Sequence, residues 1–418
     1  MIKLMIFCFA AILACSTSAA ESVRIAFIDP LSGPFANTGY SALQHFRAAV
    51  DRDEFKQRLG ARRIEIVPFD NAAGVVESIT QLRSAVDRNI RFVVQGQSSA
   101  VALALVDAIE KHNSRDPARS VLFLNYAALD PDLTGTKCSF WHFRFDAPVE
   151  MRLRALLEAS IPPNAWRSVY LINQDYSFGR HVAQSAKDWL PRISPRSRIA
   201  GEVLHPLGSV KDFAPYVFRA KSSGADTILT ANWGADLALL VKAAREMGFE
   251  GRILTFFAGA PGAVSAMGSR VGPGRLTQVN EWHANAEVKD GKAMARYTAR
   301  FLRNYGEEFR YLRILTLTDM LAEAFAKHVN ATPRDIAFAL EGMRINTPTG
   351  AVEMRAQDHQ LLQPLFVSTL HLTAKSGGAP DLVFETESSG MGFRTDKRIE
   401  AGATAAGSTC AMVRPLKN

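Results

Sequence analysis

From Val23 onward, short runs of consecutive apolar residues alternate with longer stretches in which apolar positions recur every three or four residues. The short runs suit strands covered on both faces, and the longer stretches suit helices packed on such a sheet. This pattern predicts strands at Val23 to Ile28, Ile64 to Phe69, Phe92 to Val94 and Val121 to Leu124. It predicts helices over Gly39 to Leu59, with Leu43, Phe46, Val50 and Phe55 on the apolar side, and over Val75 to Asp87. Strands separated by helices of this length define an α/β fold with a parallel, doubly wound sheet. The alternation then restarts. Strands at Val169 to Ile172, Ile199 to Leu204, Ala225 to Thr230 and Arg252 to Phe257 interleave with helices over Arg180 to Leu190, Phe213 to Ser222 and Ala235 to Met247. Two such halves predict two similar lobes with a binding cleft between their strand-end loops.

The remaining third of the chain carries no further αβ repeat. Lys292 to Tyr305 and Ile314 to Val329 read as helices, and Thr332-Pro333-Arg334-Asp335 as a helix start with cap, proline and acid. Ala351 to Met354 and Leu365 to Leu370 read as paired strands, so this segment is expected to return and complete both lobes.

The turn after Phe92 to Val94 carries the first candidate chemistry. The strand stops at Gly96, and Ser98 and Ser99 stand where the cap of the next helix belongs. Unpaired N–H groups and the helix dipole favour an anion such as a carboxylate there. Ligands of open α/β sheets lie outside the carboxyl ends of the strands, so this turn is read as one wall of a carboxylate-binding cleft. The same turn also has the layout of a nucleophile elbow, which would make Ser98 the nucleophile of a secreted α/β hydrolase. That reading needs an acid and a histidine on neighbouring loops, and His181, His205 and His283 all lack a convincing acidic strand end before them. Asp358-His359 suggests a metal pair, but adjacent residues of a strand point apart, so no metal and no cofactor is expected.

Residues 1–20 have the form of an export leader: Lys3, an apolar core from Leu4 to Leu13, then small residues through Ala20. A lipoprotein site at Cys15 is the weaker alternative, because leucine sits one place late before it. With Cys8 and Cys15 in the leader, Cys138 and Cys410 remain as one pair, and an oxidising compartment favours a disulfide between them. The formal charge of +8 fits attraction of acidic solutes, while the absence of a Lys/Arg run argues against nucleic acid.

The order of several short motifs resembles the periplasmic solute-binding proteins of ABC importers, in the leucine/isoleucine/valine-binding branch. They are Asp29-Pro30-Leu31-Ser32-Gly33-Pro34-Phe35, Gly96 with Ser98-Ser99, Pro131-Asp132-Leu133-Thr134 and Asp175-Tyr176-Ser177-Phe178-Gly179. Gly234-Ala235-Asp236 and Gly350-Ala351-Val352 with Asp358-His359-Gln360 continue the series. The resemblance implies two Rossmann-like lobes joined by three crossovers, near Arg144-Phe145, Asn280 to His283 and Arg344 to Thr347. It places 21–143 and 281–344 in the first lobe, and 144–280 with 345–418 in the second lobe and its tail. It further implies a periplasmic monomer that traps a small solute, without catalysis, for an ABC permease in the inner membrane. A solute sensor of the same fold is the alternative.

Transferred position by position, the resemblance puts Ser98 or Ser99 on the ligand carboxylate, with Asn125, Tyr126 and Ala127 at the next strand end. Phe178, with Tyr176 near it, and Trp233 stand where the family has tyrosines, and Leu129 where it has a threonine. The family's ammonium-binding acid would follow Phe257, yet no Asp or Glu occurs between Leu254 and Arg275. A buried ammonium without a partner costs several kcal/mol, which favours a carboxylate with an uncharged aliphatic or aromatic body over the branched-chain or hydrophobic amino acids that the resemblance implies. Asp236 is the one acid nearby that could substitute.

Overall fold

The computed structural model describes residues 22–269, 272–328, 331–405 and 407–416, so the expected leader lies outside the described residues. The first α/β series runs β1 (Ser22–Asp29), α1 (Ala36–Val50), α2 (Asp53–Leu59), β2 (Arg63–Asp70), α3 (Val75–Asp87), β3 (Phe92–Gln95), α4 (Ser99–Arg115), β4 (Leu122–Asn125) and β5 (His142–Arg144). The second runs α5 (Val149–Ser160), β6 (Ser168–Gln174), α6 (Ser177–Ile193), β7 (Arg198–His205), α7 (Ala214–Ser222), β8 (Thr227–Thr230), α8 (Gly234–Glu246), β9 (Arg252–Thr255), α9 (Ala263–Met267) and β10 (Leu276–Asn280). The last segment supplies α10 (Gly291–Tyr305), α11 (Leu312–Lys327), α12 (Pro333–Leu340), β11 (Arg344–Thr347), β12 (Gly350–Arg355), β13 (Gln360–Leu362), β14 (Leu365–Leu372) and β15 (Met391–Ile399). Thr332 and Asp335 form the reciprocal cap expected at the start of α12.

β3, β4, β6 and β8 are buried at every position, because helices cover both faces of their sheets. The first sheet has the order β11-β12-β13-β5-β4-β3-β1-β2, and the second β15-β14-β10-β9-β8-β6-β7. In each, five parallel strands follow the same winding, reversing direction between β1 and β3 and between β6 and β8. Helices leave such a reversal on opposite faces of the sheet, so the strand ends part and leave a crevice.

Two expectations need correction. The helix over 39–59 is broken at Arg52, whose guanidinium reaches Asp319 on α11 at 2.7 Å. Residues 345–362 do not belong to the second lobe: β11, β12 and β13 extend the first sheet, β13 pairing with β5. The third crossover is therefore Gln363-Pro364, between β13 and β14, rather than 344–347. Polar side chains tie it to the first crossover, since Gln363 Nε2 donates to the Phe145 carbonyl at 3.2 Å and Gln360 Nε2 to that of Asp146 at 2.8 Å. Beyond β15 the tail returns to the first lobe, where Cys410 is disulfide-bonded to Cys138. Among the described residues, no helix is long and apolar enough to cross a membrane.

Candidate functional site

Loops at the carboxyl ends of β3, β4, β6, β8 and β9 enclose a narrow cavity of about 40 Å³ between the lobes. Four helices begin at this cavity. The N-cap residues of α4, α6, α8 and α11 are Ser98, Tyr176, Trp233 and Tyr311, all four line it, and none caps its helix through its own side chain. The first N–H groups of each helix lack intrahelical partners, so four positive dipole ends gather around one small volume. Ser98 holds φ 76°, a left-handed backbone that costs a non-glycine residue on the order of 1–3 kcal/mol. Behind it, Asp29 at the end of β1 accepts N–H bonds from Gly96 and Gln97 at 3.1 and 2.9 Å and an O–H bond from Tyr126 at 2.6 Å. This buried carboxylate fixes the loop that carries the serines.

The walls are aromatic on the second-lobe side. Trp233 donates its indole N–H to the Tyr176 hydroxyl at 3.0 Å, and Phe178 and Phe257 pack with ring centroids 6.2 Å apart. Phe35 reaches across from the first lobe and stacks on Trp233 with centroids 4.1 Å apart, so the two lobes are closed on each other. Gly234 is needed beneath that ring, where a Cβ would lie 2.7 Å from Phe35.

Among the described residues, the one charged side chain lining the cavity is basic. Arg313, in the first turn of α11, lines it and is 4% exposed. Burial works against its charge, yet Glu281 Oε1 at 2.7 Å and Asp146 Oδ2 at 3.4 Å hold the guanidinium above its ordinary pKa. Among the described residues, no carboxylate lines the cavity. Asp236, the acid that could substitute for the missing one, is instead bound by the Gly208 N–H at 2.9 Å and Gln174 Nε2 at 2.8 Å.

Of the residues expected at the site, Ser98, Ser99, Ala127, Tyr176, Phe178 and Trp233 line the cavity. Asn125 and Tyr126 do not. The Asn125 amide closes its own turn, accepting from the Ala127 and Ala128 N–H groups and donating to the Ala128 carbonyl. Tyr126 points down behind Gly96 to Asp29. Thr38, Gln97, Phe257, Ala260, Tyr311 and Arg313 were not anticipated. A charged side chain in the apolar start of α11 was the available signal for Arg313. Among the described residues, no histidine lines the cavity beside Ser98. Asp358 is paired with Arg355 at 2.6 Å and His359 with Glu341 at 2.9 Å, so they do not converge on a metal.

Two doubly wound lobes, three crossovers and a cavity closed between them define a type I periplasmic binding protein. The profile describing periplasmic binding proteins matches residues 22–378, and the chain belongs to that family, in its leucine/isoleucine/valine-binding branch. The Leu/Ile/Val-binding protein homolog 4 of Brucella melitensis is 30% identical over 366 residues, 86% of each chain. The closed leucine-, isoleucine-, valine-, threonine- and alanine-binding protein of Brucella ovis is 28% identical, with a TM-score of 0.80 over 95% of this chain and all of that one. A solute-binding protein of R. palustris solved with 4-hydroxybenzoate shares the fold at 16% identity, with a TM-score of 0.74 over 91% of this chain and 98% of that one.

Proposed function

We propose that this protein is the periplasmic solute receptor of an ABC importer and binds a small monocarboxylate with an uncharged, apolar body. The observation that carries this reading is the asymmetry of the cavity. The first-lobe side presents Arg313, Ser98 and the starts of α4 and α11, the second-lobe side presents Phe178, Trp233 and Phe257 with the starts of α6 and α8, and among the described residues no acid lines the cavity for an ammonium group. A carboxylate placed among the helix starts would gain charge-assisted hydrogen bonds from amides already aimed at it. The body of the solute would bury against aromatic rings. Solved relatives of this fold bind both kinds of solute: the Brucella ovis protein is named for amino acids, and R. palustris proteins hold 4-hydroxybenzoate or benzoate. The electrostatics here favour the second kind. The receptor would act as a monomer, deliver its solute to an inner-membrane permease and leave it chemically unchanged.

The test is a thermal-shift screen of the mature protein with branched-chain amino acids beside benzoate, hydroxybenzoates and short aliphatic acids. A ligand at 100 times its Kd stabilises by about 2.7 kcal/mol, which is readily seen as a rise in Tm. Aromatic or aliphatic acids are expected to give the larger shift. A dominant response to leucine, isoleucine or valine would reject the assignment of solute class.

A further inference from the structure

Beside the cavity, and outside it, one cluster of ligating side chains joins the two lobes. Asp130 and Asp132 stand on the short 3-10 turn that follows β4 in the first lobe, and His181 on α6 in the second. Their ligating atoms all lie within 4.8 Å of one another, the only such group of His, Cys, Asp and Glu among the described residues. A second observation concerns polar atoms at the same spot. Asp130 is 0% exposed, and its Oδ2 has no hydrogen-bond partner. The Ser177 hydroxyl and His181 Nδ1 are likewise buried and without an aligned partner. His181 Nδ1 is 3.3 Å from Asp130 Oδ1, an ion pair between the lobes when the imidazole is protonated, and Oδ1 also accepts the Asp132 N–H at 3.1 Å, so the open atom of this carboxylate is Oδ2. Buried polar atoms of this kind are rare without a ligand, an ion or water to satisfy them.

We propose that Asp130, Asp132 and His181 form an inter-lobe site for a divalent transition ion of the Zn2+ type. One imidazole with two carboxylates suits zinc and its neighbours, whereas magnesium and calcium prefer all-oxygen shells. Bonds of about 2.0–2.2 Å would draw the three atoms closer than they now stand, and Asp132 and His181 are both partly exposed. Because the ligands come from both lobes, the ion binds the closed form and not the open one. The Asp130 N–H donates to Ser99 Oγ at 3.2 Å, and Ser99 lines the solute cavity. Ion and solute therefore favour the same state, and each raises the affinity of the other.

The experiment is isothermal titration of the metal-free mature protein with ZnCl2, together with thermal shift, on wild type, His181→Ala and Asp132→Asn. The expected result is one zinc per wild-type chain with a rise in Tm, no matching response to MgCl2, and at least a tenfold loss of zinc affinity in each variant. Circular dichroism without zinc establishes that the variants fold. If His181→Ala does not, the exposed edge at Asp132 makes Asp132→Asn the deciding variant. No zinc binding by wild type, which would leave only an ion pair between the lobes, overturns the proposal. So does zinc binding that is unchanged in the folded variants.

Discussion

Arg313→Met is the substitution that most directly probes how the cavity is built. Arg313, Arg152, Asp146 and Glu281 are each at most 4% exposed and form one buried group of two cations and two anions. Asp146 lies on the first crossover and Glu281 at the start of the second, while Arg152 and Arg313 come from α5 and α11 in opposite lobes. Removing Arg313 leaves two carboxylates facing one guanidinium, a net buried negative charge at the cavity wall. Breaking a buried ion pair from one side costs about 3–5 kcal/mol, because the remaining charge keeps its desolvation penalty and loses its partner. For a lobe of this size that corresponds to a fall in Tm of about 6–20 °C. Urea denaturation of solute-free protein, followed by circular dichroism, measures the loss directly. Affinity for an anionic solute should fall in the same variant. Glu281→Gln added to Arg313→Met restores neutrality and should recover part of the stability. Two results refute this reasoning: a loss below about 1 kcal/mol, well under the buried-pair range, or a double variant whose loss is the sum of the two single losses.

Two other perturbations follow from the support behind the serine loop. Gly96→Ala would place a Cβ 2.7–2.8 Å from three ring atoms of Tyr126, whose hydroxyl is held on Asp29. Overpacking of this kind costs about 1–3 kcal/mol, and a Tm equal to wild type would show that the ring moves freely. Asp29 has its carboxyl pushed up to about 7 by burial, against hydrogen bonds from Tyr126, Gln97 and Gly96 that favour the ionised form. A folded-state pKa above the unfolded value means the native state holds the extra proton between about pH 4 and pH 7. Asp29 should therefore subtract stability as pH rises through that window, by no more than about 4 kcal/mol. Asp29→Asn should flatten the slope of unfolding free energy against pH between 4 and 7, and an unchanged slope would place the titration elsewhere.

The features that were legible in the sequence are those set by local burial. β3, β4 and β8 read as strands because both faces are covered and apolar residues run on, and the serines after Gly96 marked the start of α4 by position, although Ser98 makes no side-chain cap bond there. Lobe membership of the last segment was not legible. Nothing inside β12 or β14 names its sheet: that is decided by pairing with β13 in the first sheet or with β10 in the second, outside the pattern of either strand. Side-chain direction at a strand end was equally hidden. Tyr126 follows β4 just as Ala127 does, but Gly96 leaves room behind the loop for its ring, and Asp29 supplies the acceptor that holds it there.

Arg313 shows the same principle from the opposite side. In sequence it is one basic residue in an apolar helix, which ordinarily means a solvated edge, and only the return of both crossovers beneath α11 gives it two buried carboxylates. Its charge stays in the cavity wall because the hinge supplies the counter-charges, not the solute. Under the proposed function, a solute acid would meet a prepaired cation together with four helix starts. An α-amino acid would bring an ammonium group to the same wall, where Asp146 and Glu281 are engaged by Arg152 and Arg313, and Asp236 by Gly208 and Gln174. The missing acid after Phe257 and the buried guanidinium thus point to one selectivity, through two residues that no local pattern connects.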